Sequence, residues 1–266
     1  MHRIMDVFEK LRARNEAALV PYLTAGYPSM ERTGEMLVAL GEAGADLLEL
    51  GIPFSDPLAD GATLQRISHL ALERGASLRS ALGLVASVRS QVAAPVVLMS
   101  YYNPILRYGE ERFAVEAVAA GVDGVIVPDL PVEESTTLRV ACARSGLDLI
   151  GMVAPTTPGE RIAAIAEASS GFLYCVSLKG VTGSRRELPQ DIDLLTGRVR
   201  EATRLPAVVG FGISSADQVR RVAAIADGVV VGSALMDRID REPARCVEVA
   251  SEFVSKLKAA CREARP

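Results

Sequence analysis

Eight short apolar runs, each followed by a longer stretch of helical period, limit what this chain can fold into more than any other feature. The runs are Ala18–Thr24, Asp46–Gly51, Pro95–Tyr101, Gly124–Pro128, Leu147–Val153, Gly171–Ser177, Ala207–Phe211 and Gly228–Val231. Most show little polar–apolar alternation, the pattern of parallel strands covered on both faces. Between them lie helix candidates at Met30–Ala43, Ser77–Val92, Gly109–Ala120, Val132–Arg144, Pro158–Ala168, Leu188–Thr203 and Ser214–Ala224, and Pro243–Ala264 closes the chain. Arg3–Asn15 adds a helix before the first strand, and Ala62–Arg74 adds one after the second.

A phrase recurs at the helix-to-strand turns: Gly44-Ala45-Asp46, Gly121-Val122-Asp123 and Gly146-Leu147-Asp148. Glycine there takes the left-handed position that ends a helix, and an apolar strand follows. Repeated βα units make either a closed barrel or an open doubly wound sheet. Eight units in 266 residues fit the barrel, and the G-x-G-x-x-G turn expected of the dinucleotide-binding open sheet is missing. The expected fold is therefore α/β, a (β/α)₈ TIM barrel spanning residues 1–266 as one domain, with short extra helices after strands two and eight.

Composition excludes several kinds of chemistry. With 29 basic and 33 acidic residues the net charge is −4, which argues against a nucleic-acid or anionic-membrane surface. Two histidines, His2 and His69, are too few for a multi-histidine metal site, and no metal is expected. Neither the G-x-S-x-G nor the P-loop pattern occurs. Cys142, Cys175, Cys246 and Cys261 form no C-x-x-C pair and sit in apolar or helical patterns. Charges follow the first residues where a signal peptide would be apolar, and no run reaches membrane-span length. A reduced, cytoplasmic setting is the expectation.

In a barrel, chemistry belongs at the C-terminal ends of the strands. The second exit, Leu48-Glu49-Leu50-Gly51-Ile52-Pro53-Phe54-Ser55-Asp56-Pro57-Leu58-Ala59-Asp60-Gly61, is the richest. Glu49 interrupts an apolar strand, where a carboxylate is costly without a partner or a purpose, and desolvation there raises its pKa toward acid–base use. The alternative is a structural carboxylate bonded to backbone amides. Asp60 reads either as a second acid–base group or as the N-cap of the helix after it. Asp56 reads as a turn or interface residue.

Strand seven leaves through Gly210-Phe211-Gly212-Ile213-Ser214-Ser215, and strand eight through Val231-Gly232-Ser233-Ala234-Leu235. Glycines at these two exits let backbone N–H groups approach an anion, and a short helix from Ser233 would aim its positive end at it. Tight turns with serine caps are the plainer alternative. The sixth exit, Ser177-Leu178-Lys179-Gly180-Val181-Thr182-Gly183-Ser184-Arg185-Arg186, has the composition of a lid. Lys179 is either a Schiff-base nucleophile or a solvated loop cation.

Read together, these segments resemble the tryptophan synthase α-subunit family from end to end. The resemblance rests on Pro21-Tyr22-Leu23-Thr24-Ala25-Gly26-Tyr27-Pro28, the Leu48–Gly61 segment, Tyr101-Tyr102-Asn103-Pro104, Val127-Pro128-Asp129-Leu130-Pro131, Gly180-Val181-Thr182-Gly183, Gly210-Phe211-Gly212-Ile213 and Val231-Gly232-Ser233. It implies retro-aldol cleavage of indole-3-glycerol phosphate to indole and glyceraldehyde 3-phosphate, with Glu49 shuttling the proton and Asp60 on the indole N–H. It also implies Tyr22 and Tyr174 near the substrate, and phosphate contacts from Gly183, Phe211, Gly212, Gly232 and Ser233. Thr182 would meet Asp60 when the lid closes. No cofactor is implied in this chain; pyridoxal phosphate belongs to a β-subunit partner in an α₂β₂ complex, facing Pro53, Asp56, Pro57, Tyr102, Asn103 and Pro104. Tyr22 stands where the family usually has phenylalanine, and Lys179 falls at a variable lid position. The competing functions are a free-standing indole-releasing lyase, a Schiff-base aldolase on Lys179, and a barrel that chiefly binds or activates a partner.

Overall fold

Strand follows strand around a closed ring: β1 (Ala18–Thr24), β2 (Leu48–Gly51), β3 (Val96–Met99), β4 (Gly124–Ile126), β5 (Asp148–Val153), β6 (Leu173–Val176), β7 (Ala207–Gly210) and β8 (Gly228–Val231). Each pairs in parallel with its neighbours in sequence, and β8 returns to β1 with Ala18 opposite Gly228 and Pro21 opposite Val231. This computed structural model describes residues 3–176, 191–210 and 212–265.

Helices pack outside the ring: α1 (Arg3–Ala13), α2 (Met30–Glu42), α3 (Ala62–Glu73), α4 (Leu78–Val88), α5 (Tyr102–Tyr108), α6 (Glu110–Ala120), α7 (Thr136–Ser145), α8 (Gly159–Glu167), α9 (Asp191–Ala202), α10 (Ala216–Ile225), α11 (Ser233–Arg241) and α12 (Cys246–Arg262). Serines start several of them. Ser29 accepts the Arg32 amide, Ser215 accepts the Gln218 amide, and Ser77 and Ser80 form a reciprocal capping box. Gly121 and Gly146 end α6 and α7 in the left-handed conformation, as the recurring turn phrase required.

The aspartates of these turns grip neighbouring strands. Asp46 accepts the Leu19 amide at 2.7 Å, Asp123 the Val96 amide at 2.8 Å and Asp227 the Ala207 amide at 3.0 Å. Each satisfies a backbone donor at the N-terminal end of a strand, where the ladder has not begun. Across that end lies α1, whose Ile4, Phe8 and Leu11 are buried, with Phe8 set 5.9 Å from Phe172. The bottom of the barrel is thereby plugged, and its cavity opens at the other end.

The architecture matches the expected barrel, with differences in detail. The extra helix after strand two is twelve residues long rather than short. After β3, residues that fell between the strand and helix candidates form α5, since Pro104 falls in the first helical turn where its missing N–H costs nothing. Several strands stop short of the apolar runs: β3 ends at Met99 and β4 at Ile126.

Candidate active site

β1 and β2 set the site's first two side chains. Tyr22 and Glu49 are register partners, so both point the same way from adjacent strands, into the barrel. They line a cavity of about 510 Å³ at the C-terminal mouth, together with Asp60, Tyr174, Gly212, Gly232 and Ser233. All seven were singled out from the sequence. Thr182, Gly183 and Phe211 lie outside the described residues, as do Lys179, Arg185 and Arg186 of the expected lid.

Glu49 is 1% exposed, and its Oε2 has no hydrogen-bond partner among the described residues. The structural alternative, a carboxylate satisfied by backbone amides, does not fit that oxygen. Burial, with a smaller contribution from the charge of Asp60, pushes Glu49 up to about 8. At neutral pH it is a carboxylic acid facing a cavity.

Asp60 arrives on the loop between β2 and α3. Its amide donates to the Pro57 carbonyl at 3.0 Å, and Gln65 Nε2 donates to its carbonyl at 2.9 Å. The N-cap of α3 is Gly61, with no side-chain capping bond, so Asp60 does not serve as the cap that its position before the helix allowed. Burial raises Asp60 to about 6, against a lowering hydrogen bond from Tyr101. Asp60 and Glu49 thus differ in acidity because their surroundings differ, the arrangement that separates acid and base roles.

Tyr101 opens one of the sequence motifs but drew no site role there. Its hydroxyl accepts the Ala59 amide at 2.9 Å and bonds the Asp60 carboxylate, while its ring stacks on Phe54 at 5.3 Å. An aromatic at the end of a strand looks like core in a sequence. Its polar end becomes informative only when a loop from elsewhere folds over it. Tyr22 receives a hydrogen bond from the Thr24 hydroxyl at 3.4 Å, and burial holds both Tyr22 and Tyr174 protonated far above neutral pH.

α11 starts at Ser233 with Gly232 as its N-cap and no side-chain capping bond, so its first amides face the cavity unclaimed by a side chain. Gly212 adopts φ +34 with open space where a Cβ would stand. Of the residues read as partner-facing, Asp56 and Asn103 are exposed and Pro57, Tyr102 and Pro104 half-buried. Pro53 is buried and offers no surface of its own, while Leu58 between them is 90% exposed.

A closed parallel barrel with offset carboxylates and a glycine-edged helix start at its mouth defines a (β/α)₈-barrel enzyme. The family model for tryptophan synthase alpha chain matches residues 8–263. Similar proteins include the tryptophan synthase alpha chain of Roseiflexus castenholzii, 54% identical over 97% of this chain and 100% of that one, and that of Chloroflexus aurantiacus, 52% identical over the full length of both. Among solved structures, a chain of Mycobacterium tuberculosis tryptophan synthase superposes with a TM-score of 0.91 at 39% identity, covering 98% of each chain. The alpha chain of Legionella pneumophila subsp. pneumophila superposes at 0.90 with 37% identity, over 98% of this chain and 97% of that one. The chain belongs to the tryptophan synthase alpha chain family, lyases that cleave indole-3-glycerol phosphate.

Proposed function

We propose that Glu49 and Asp60 carry this cleavage as an acid–base pair. The observation that supports it best is the buried Glu49 carboxyl, raised to about 8 and facing the cavity that Asp60 also lines. Neutral Glu49 gives its proton to the indole carbon that bears the glycerol chain, leaving a cationic ring. The Asp60 carboxylate accepts the ring N–H and stabilises that charge. Glu49, now ionised, takes the proton of the hydroxyl on the adjacent carbon. The carbon–oxygen double bond forms, the carbon–carbon bond breaks, and its electron pair returns to the ring as indole. Glyceraldehyde 3-phosphate is the other product, and Glu49 ends as it began, protonated.

Tyr22 and Tyr174 wall the indole in this reading. Gly212, Gly232 and Ser233, with Thr182, Gly183 and Phe211, hold the phosphate against the start of α11. No cofactor of this chain takes part. We assign it a β-subunit partner that carries pyridoxal phosphate, in an α₂β₂ complex docked on Asp56, Pro57, Tyr102, Asn103 and Pro104 around the exposed Leu58. The four free cysteines suit a cytoplasmic setting.

Indole release from indole-3-glycerol phosphate, measured with and without the cognate β subunit, tests both parts. Glu49→Gln and Asp60→Asn should each lower kcat by about 10² or more while circular dichroism stays unchanged. Normal turnover in either variant removes that residue from the mechanism. Full activity alone, or no association by light scattering, replaces the complex with a free-standing lyase.

A further inference from the structure

Beside the cavity, α3 and α11 are joined by two polar bridges on successive turns. Thr63 Oγ1 donates to Asp237 Oδ1 at 2.9 Å, and Arg66 makes a two-pronged contact with Asp240 at 2.5 and 3.2 Å. Tyr27 also hydrogen-bonds Asp240. Both partners advance by three residues together, so the helices run side by side in the same direction. Their N-caps, Gly61 and Gly232, both line the cavity.

One helix therefore carries Asp60 just before its start, and the other presents the proposed phosphate-binding amides at its own. Asp237 lies one turn inside α11. A negative charge there opposes an anion at the helix start and disfavours phosphate. A helix built only to bind phosphate gains nothing from an acid at this position. The acid has a use as the acceptor for Thr63, in the first turn of the helix that follows Asp60.

We propose that Thr63 and Asp237 are positioning residues, a strut through which α11 fixes Asp60 relative to the phosphate end of the substrate. The inference rests on the role assigned to Asp60 above. Phosphate seated on α11 holds that helix, the strut holds the first turn of α3, and Asp60 is brought to the ring N–H. Misplacement by a fraction of an ångström weakens the contact made in the transition state more than ground-state binding.

Steady-state kinetics on indole-3-glycerol phosphate test the strut in the full chain. Thr63→Val should lower kcat about tenfold with KM changed less than about threefold. Thr63→Ser, which keeps the hydroxyl, should restore kcat to within about twofold of wild type. Asp237→Ala should match Thr63→Val, and the two together should cost no more than either alone. Asp237→Asn keeps an acceptor and drops the charge, so kcat should hold while KM falls. In an Asp60→Asn background, Thr63→Val should cost nothing further. Unchanged kcat in Thr63→Val, or additive losses, overturns the strut; so does a loss that Thr63→Ser shares. Should Thr63→Val fail to fold, the contrast between a lowered kcat in Asp237→Ala and an unchanged kcat in Asp237→Asn decides alone. If Asp60→Asn itself turns over normally, the assignment of Asp60 fails whatever the strut variants do.

Discussion

The ring of Tyr22 lies where a side chain on Gly51 would stand. Tyr22 faces Glu49 across the β1–β2 ladder, and Gly51 is two residues further along β2 on the same inward face. A Cβ added to Gly51 would overlap the Tyr22 hydroxyl and the ring carbon that bears it. Tyr174 repeats the relationship: it faces Val208 across β6–β7, and its hydroxyl fills the space beside Gly210. Gly51→Ala should therefore displace Tyr22 into the cavity and lower kcat/KM by roughly tenfold or more. Adding Tyr22→Phe should recover little, because the ring itself overlaps, whereas adding Tyr22→Leu should recover more. Wild-type kinetics in Gly51→Ala would show that the ring has room to move.

That relationship marks the limit of what the sequence discloses. Apolar runs and helix-ending glycines were enough to lay out all eight βα units, because both encode local geometry. Glu49 was conspicuous as a charge in a buried strand. The conflict over Asp60 needed the structure: cap and acid share the same sequence signature, and only the capping bond tells them apart. The roles of Tyr101, Thr63 and Asp237 were silent because each acts across the chain, Tyr101 on a loop about forty residues earlier and Thr63 on a helix 174 residues later. Polar contacts between distant elements leave no periodic trace.

The two carboxylates fix a pH profile. In the proposed mechanism the active form holds Asp60 ionised and Glu49 protonated, with Asp60 near 6 and Glu49 near 8. kcat/KM should rise through about pH 6, fall through about pH 8 and peak between. Asp60→Asn should remove the acid limb from the residual activity. It should also move the alkaline limb down, since the neighbouring charge that helps raise Glu49 is gone. An alkaline limb that stays put or moves up would contradict the coupling.

Glu49 should also cost stability at alkaline pH. Its folded-state value of about 8 exceeds the ordinary 4.5, so between these the native state binds the extra proton. Stability therefore falls as pH rises through that interval, and the penalty is complete above about 8. Glu49→Gln removes a charge that must otherwise be buried. It should raise stability by up to about 5 kcal/mol at pH 9 and by much less at pH 4. Thermal melts at both pH values check this; an equal shift at both would mean that the gain is not electrostatic.

At the proposed phosphate end, Gly232 should carry the contrast between two kinds of ligand. A Cβ there would reach ordinary contact with Tyr22, 3.4 Å from its Cβ, so alanine fits, while a branched side chain must project into the cavity over the first amides of α11. Gly232→Val should weaken glycerol 3-phosphate by about tenfold or more and indole much less. Calorimetric titration with each ligand checks it. Equal losses would place the phosphate elsewhere or report a general collapse of the site.

The opposite end of the barrel should answer to stability and not to turnover. Lys258 on α12 is 4% exposed, and its Nζ lies 2.8 and 3.0 Å from the two oxygens of Asp46 and 3.3 Å from Glu16 Oε2. Asp46 in turn accepts the Leu19 amide, so one lysine ties the last helix to the start of the first strand. Burial raises Asp46 even against the lowering effect of Lys258, which shows how poorly this place solvates a lone charge. Lys258→Ala leaves Asp46 without its cation beside Glu16, which keeps only Arg262 at 3.9 Å, and breaking a buried pair in this way costs about 3–5 kcal/mol. Lys258→Met with Asp46→Asn should recover part of that loss, because no unpaired charge remains on the pair. In every variant that folds, kcat should stay within about twofold of wild type, since the cluster sits at the N-terminal face and barrel chemistry at the other. Urea melts and indole release measured on the same preparations check both halves. A stable Lys258→Ala, or a folded variant with kcat reduced tenfold, would break the separation between the two ends of the barrel.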